Sequence, residues 1–135
     1  MAIPLRIPVR FEDVFPHGAF VLSVDASNDF ERVQAGSEDV QERDKETGER
    51  MWVVRVVDGD PAARAAEVKI KIVAPVQPTP PEVLAGTAFR PAEFDGLTVT
   101  PWINTNGSRP KLGFSIRARA MRPVLSARRG QQVAS

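Results

Sequence analysis

The chain of 135 residues has no cysteine and a single histidine, His17. The first absence excludes disulfides, a thiolate nucleophile and a Cys-ligated zinc site, and it gives no sign of a disulfide-stapled secreted scaffold. No fixed motif surrounds His17, which reads as the end of a turn. No apolar run approaches the length of a membrane-spanning helix. The opening "MAIPLRIPVRFEDVF" lacks the apolar stretch of a signal peptide and carries two prolines. The expectation is a cytoplasmic protein without a membrane segment. Acid is missing locally: Gly96 to Ser135 holds seven basic residues and no acidic one. The segment from Asp25 to Arg50 holds nine acidic and four basic residues, so the net charge of +1 hides a split. Apolar content of 42% and charged content of 26% are ordinary for a globular chain, and the length suits one domain with a moderate core.

Prolines and alternation organise the chain. Residues 1–16 contain Pro4, Pro8 and Pro16 and read as an extended N-terminal arm, anchored by Leu5, Ile7, Val9, Phe11 and Phe15. Residues 17–123 read as a single β domain and 124–135 as a flexible basic tail. Strands are expected at 18–26, with a continuation past a kink into 30–35, then at 51–58, 67–73, 97–105 and 111–123. Residues 36–50 are polar and charged, with a hairpin turn at "KETGER" and the rest mobile. Five prolines between residues 74 and 96 exclude a long helix there and leave an extended connector that pairs briefly around "TAFRP". The fold class is therefore all-β. Five amphipathic strands must close or be covered, which favours a five-stranded OB-like barrel, closed or partly open, with a Pro-rich connector between its third and fourth strands. A small sandwich is the rival.

Alternation also sorts the side chains. With Trp52, Val54 and Val56 inward, Met51, Val53, Arg55 and Val57 face out. Lys69 and Lys71 join the outward set from the next strand, with Thr98, Thr100 and Trp102 from the fourth and Lys111, Arg117 and Arg119 from the fifth. Single-stranded nucleic acid asks for this mixture, cations for phosphates and a flat ring for bases. Strand faces of Lys, Arg and Thr also serve simple solvation, and Trp102 fits a core or dimer position equally. The acidic 36–50 segment reads first as a solvated hairpin tip and second as a mimic that competes with nucleic acid or recruits a partner.

Catalysis finds no support. "DGD" at 58–60 lacks the ligand spacing of a calcium loop and reads as a turn. No carboxylate pair is singled out among the 17 acids, no phosphate loop is present, and no metal or cofactor is expected.

"MAIPLRIPVRFEDVFPHGAF", "APVQP", "FRPAEFDGLTVTPWIN" and "RPKLGFSIRARAMRP" resemble the plasmid replication, integration and excision activators, small proteins of actinobacterial plasmids and integrative conjugative elements. The resemblance covers most of residues 1–123 and is weakest over 36–50. It implies a role in element replication, excision or conjugative transfer, without supplying catalytic residues or a ligand. The expectation is a non-enzymatic accessory protein that binds single-stranded DNA through Arg55, Lys69, Lys71, Trp102, Lys111, Arg117 and Arg119. Its protein partners would be replication or transfer proteins of the element. One alternative is a regulatory activator that binds duplex DNA or another regulator, although no helix-turn-helix pattern is present. Another is a protein-interaction adaptor. Exposed strand edges are compatible with a homodimer.

Overall fold

The structure is a computed structural model that describes residues 6–62, 67–105 and 107–124. The arm anchor Leu5 and the tail from residue 125 onward lie outside them. The described chain is mostly β, as the alternation requires. Its strands are β1 (Ile7–Pro8), β2 (Ala19–Ala26), β3 (Met51–Asp58), β4 (Glu67–Val73), β5 (Pro91–Asp95), β6 (Thr98–Asn104), β7 (Lys111–Ala118) and β8 (Ala120–Pro123). They form one curled eight-stranded sheet in the order β1-β6-β7-β4-β3-β2-β5-β8. All neighbours are antiparallel except β4 and β7, which run parallel over Ile70–Ile72 and Ile116–Ala118.

The number of strands exceeds expectation because the arm contributes β1, the Pro-rich connector contributes β5, and the last expected strand divides into β7 and β8. Gly96 turns the chain between β5 and β6 with φ +64°, a backbone that a side chain disfavours. Arg119 interrupts the last segment, and its N–H donates to the Asp95 carbonyl at 2.8 Å. The Pro-rich connector holds no helix among its described residues, and its pairing begins at the end of "TAFRP", where the Arg90 carbonyl accepts from Val21 N–H and Pro91 lies opposite Phe20, and continues to Asp95. A proline can begin a strand, where its missing N–H removes no ladder bond.

The expected strand continuation at 30–35 is instead a short helix, α2 (Phe30–Gln34). The Asp29 side chain caps it by accepting the Glu31 N–H, a local bond that outweighs weak strand propensity. The N-terminal arm also contains one helical turn, α1 (Phe11–Val14), which delivers Phe15 to the core.

The inner face of the sheet buries Val21, Val54, Val56, Ile70, Ile72, Phe94 and Ala118, closed by Phe15 and Leu97. Trp52 shares the inward phase, is half-buried, and donates its indole N–H to the Ala74 carbonyl at 2.9 Å. Met51 departs from expectation: placed outward by alternation, it is 1% exposed. The acidic loop before β3 folds back over it. Met51 N–H donates to the Glu42 carbonyl, and the Met51 carbonyl accepts from Gln41 Nε2. That loop is thus built into the fold, with Gln41 and Asp44 buried and bridges at Asn28–Gln41 and Arg43–Arg50.

Ile70 is fully buried, whereas Leu112 is 66% exposed. In urea unfolding, Ile70→Ala is expected to cost about 2–5 kcal/mol. Leu112→Ala is expected to stay within about 0.5 kcal/mol.

Candidate nucleic-acid interface

Cross-strand register decides which predicted side chains meet. Arg55 lies opposite Lys69, and Val53 opposite Lys71. Lys71 lies beside Arg117 across the parallel seam. Arg117 lies opposite Thr98, Ser115 opposite Thr100, Gly113 opposite Trp102, and Lys111 opposite Asn104. Opposed residues share a face, so Arg55, Lys69, Lys71, Lys111, Arg117 and Trp102 all occupy the outer face of one sheet. Arg119 stands just beyond, where β7 gives way to β8, and its side chain lies over Gly96. A Cβ at Gly96 would overlap the Arg119 Nε.

Half of these cations are already compensated. Arg55 pairs with Glu67 across β3 and β4. Lys71 Nζ lies 2.8 Å from Glu42 Oε1, and Arg117 lies 3.2 Å from Asp44 Oδ1. The two carboxylates belong to the acidic loop, which folds across this end of the basic face. The solvated tip that the sequence favoured is therefore partly a counter-ion layer. Asp44 also accepts from the Thr47 hydroxyl and N–H at 3.1 Å. Burial pushes the Asp44 carboxyl up, but these donors and the Arg117 guanidinium outweigh it and hold the group below the usual carboxylate range. Glu42 behaves alike: desolvation raises it, and Lys71 with the Ser27 hydroxyl lowers it further. Lys69, Lys111 and Arg119 have no carboxylate partner among the described residues.

The other end of the face carries the aromatic ring. A Cβ built at Gly113 would lie 2.7 Å from Trp102 Cε2, 2.9 Å from Cζ2 and 3.0 Å from Nε1. Cε2 is bonded to both of the other atoms, so it can be nearest only if the point lies above the ring plane. One face of the indole therefore covers Gly113. Trp102 is still 45% exposed, so much of the ring remains open to solvent. Any side chain at position 113 would lift the ring from the sheet.

The reverse side of the β6–β7 ribbon is different. Ile103 pairs with Leu112 and Pro101 with Phe114, and Ile103, Leu112 and Phe114 are all exposed. The ribbon outruns its neighbours, since β1 reaches only Val99 and β4 only Ile116. His17 is exposed in the turn before β2. Among the described residues no cluster of His, Asp and Glu could hold a metal ion, and no helix is long and apolar enough to cross a membrane.

Comparison with known proteins adds no relative: no family model, curated protein or solved structure matches the chain.

Alternation alone points to the cations and Trp102, but it misses Glu42, Asp44 and Glu67 as their partners. Glu67 carried a signal, because it shares a face with Lys69 and Lys71. Asp44 carried none, lying 73 residues from Arg117. A group whose folded pKa is lowered contributes stability that is present above its unfolded value and is lost as pH falls through the folded one. Glu42 and Asp44 are both of this kind. The urea midpoint is therefore expected to fall as pH drops below about 4. Asp44→Asn should shrink that drop; an unchanged profile would show that the pair contributes nothing.

Proposed function

We propose that the protein is a non-enzymatic single-stranded DNA-binding accessory protein of a plasmid or integrative element, acting in replication, excision or conjugative transfer. The observation that carries this reading is the Trp102 ring, laid on Gly113 with its other side open, on the same sheet face as Lys111 and Lys69. An open ring fixed on a strand offers a stacking surface for a base without further ordering cost, and nearby ammonium groups can follow the phosphates. The role on a mobile element rests on the sequence resemblance, as do the replication or transfer proteins expected as partners.

The barrel reading supports the same function. If β5 and β6 are taken as one strand broken at Gly96, β5 pairs with β2 and β6 with β7. The circuit β2-β3-β4-β7-β6/β5-β2 then has five members, with one parallel step between the third and fifth. We read that order as an OB-like barrel, in which the face of the second and third strands receives oligonucleotides. Here that face carries Arg55, Lys69 and Lys71.

Compensation changes the energetics. Six cations on phosphates would give a slope of log K against log salt of about −4, and three uncompensated ones about −2. Titration of labelled oligo-dT at several salt concentrations is expected to give the shallower slope and a preference over random duplex. Trp102→Ala should lose roughly 1–3 kcal/mol of affinity. Preference for an element-derived duplex would replace this reading with a regulator of element genes that binds duplex DNA. Unchanged binding by the Trp102 variant would remove the site.

The exposed Ile103, Leu112 and Phe114 favour a second reading, an interaction adaptor that binds no nucleic acid. It requires that oligo-dT and duplex both fail to bind. It also requires that Leu112→Ser with Phe114→Ser weaken association with the element's replication or transfer proteins.

A further inference from the structure

A cleft of about 400 Å³ opens where the N-terminal arm, the acidic loop and the ends of β6 and β7 converge. Its lining includes Arg6, Thr98, Arg117 and Arg119, with Asp44 as the one carboxylate among the lining residues. Three guanidiniums against one carboxylate leave two positive charges uncompensated. Arg6 and Arg119 have no carboxylate partner among the described residues. Arg117 meets Asp44 through one terminal nitrogen, which leaves other N–H groups of the guanidinium to donate.

One of these groups is held in position, and a second lies against the sheet. Asp44 is 6% exposed and fixes Arg117, so this guanidinium is ordered before any ligand arrives. The Arg119 stem rests on Gly96, in space that any Cβ would take. Placed cations lose less freedom on binding than mobile surface lysines do. Forked guanidiniums match the oxygens of carboxylate and phosphate. The charge separates those two ligands. A carboxylate would leave the cleft positive, whereas a phosphomonoester carries about −1.5 to −2 at neutral pH. Thr98 adds a hydroxyl suited to a further oxygen.

We propose that this cleft is a binding site for a phosphomonoester group, which on the single-strand reading is the terminal phosphate of a DNA strand. An internal phosphodiester carries one charge and satisfies the cleft less well. The assignment of the strand end rests on the proposed function; the anion site does not. Thr98 and Arg117 also lie on the outer sheet face, so a strand anchored here would run toward Lys69 and Trp102.

The test follows arginine Nε–Hε NMR signals during titration with inorganic phosphate, with acetate at equal ionic strength as control. Saturable shifts at Arg117 and Arg119 with phosphate alone are expected. Arg119→Gln, at an exposed position that leaves the core intact, should weaken phosphate binding about tenfold. Oligo-dT bearing a 5′-phosphate, a 3′-phosphate or only hydroxyl ends is then compared. One phosphorylated form should bind about tenfold more tightly than the hydroxyl form, and Arg119→Gln should remove that difference. Absence of saturation, or an Arg119→Gln response equal to the parent's, overturns the site even if oligo-dT binds. Saturation by phosphate while no oligomer binds supports the site and sinks the single-strand reading. Saturation with equal affinity for all three oligomers supports a site for a free phosphate group and overturns the strand end.

Discussion

Ile70, Lys71 and Ile72 of β4 lie beside Ile116, Arg117 and Ala118 of β7, and this short parallel seam joins the β2–β3–β4 meander to the β6–β7 ribbon. Both faces of the molecule depend on it. On the inner side it brings Ile70, Ile72 and Ala118 into one buried cluster with Val54 and Val56. On the outer side it sets Lys71 next to Arg117. Side chains alternate with period two, so the register that buries the isoleucines also gathers the cations. A slip of one residue would bury Arg117 and expose Ile116, and the core excludes that at a cost of several kcal/mol. The basic face thus follows from how the apolar face packs.

Gathered cations repel one another, and the fold answers with acids drawn from the 39–50 loop. Glu42 reaches Lys71 and Asp44 reaches Arg117, while Asp39 pairs with Arg43 and Arg50 inside the loop. The loop is held by main-chain bonds from Ser27 to Met51, so it is a fixed part of the surface. The part-exposed Lys71–Glu42 pair contributes little stability, whereas Arg117–Asp44 is more buried. Their larger effect is on the field. They cancel charge at the Arg117 end and leave the Trp102 end to the uncompensated Lys69 and Lys111. The cleft beside Arg117 escapes cancellation because Arg6 and Arg119 add charge that the loop does not reach.

How much of this was legible follows from range. Alternation is local, and it located β3, β4, β6 and β7 closely, along with a common outer face for six of the seven chosen side chains. The short helix at 30–34 was not legible, because a single Asp29 cap decided it. Met51 was misplaced for a different reason. Its phase along β3 reads outward, but the loop that covers it is tied there mostly by backbone bonds, which carry no residue code, with one side-chain bond from Gln41 Nε2. Arg119 looks like a single residue within a longer amphipathic run, and Gly96 looks like the end of a Pro-rich connector. Only the pairing of each half with a different neighbour shows them as junctions. Arg6 and Arg119 are 113 residues apart and lie together in a cleft that the fold alone assembles.

The ribbon beyond Val99 and Ile116 carries the remaining tension. Two strands alone are marginal in water, and this pair has lost most of its lateral partners. Trp102 stabilises one side by covering Gly113, an aromatic filling the gap that glycine leaves in a strand. The other side leaves Ile103, Leu112 and Phe114 in water, at a cost that only contact with another apolar surface removes. Because alternation places these sets on opposite faces, a strand stacked on Trp102 would leave the apolar side uncovered. A nucleic acid and a protein could then occupy one ribbon together. The outer and apolar faces of the ribbon are therefore not exclusive in space.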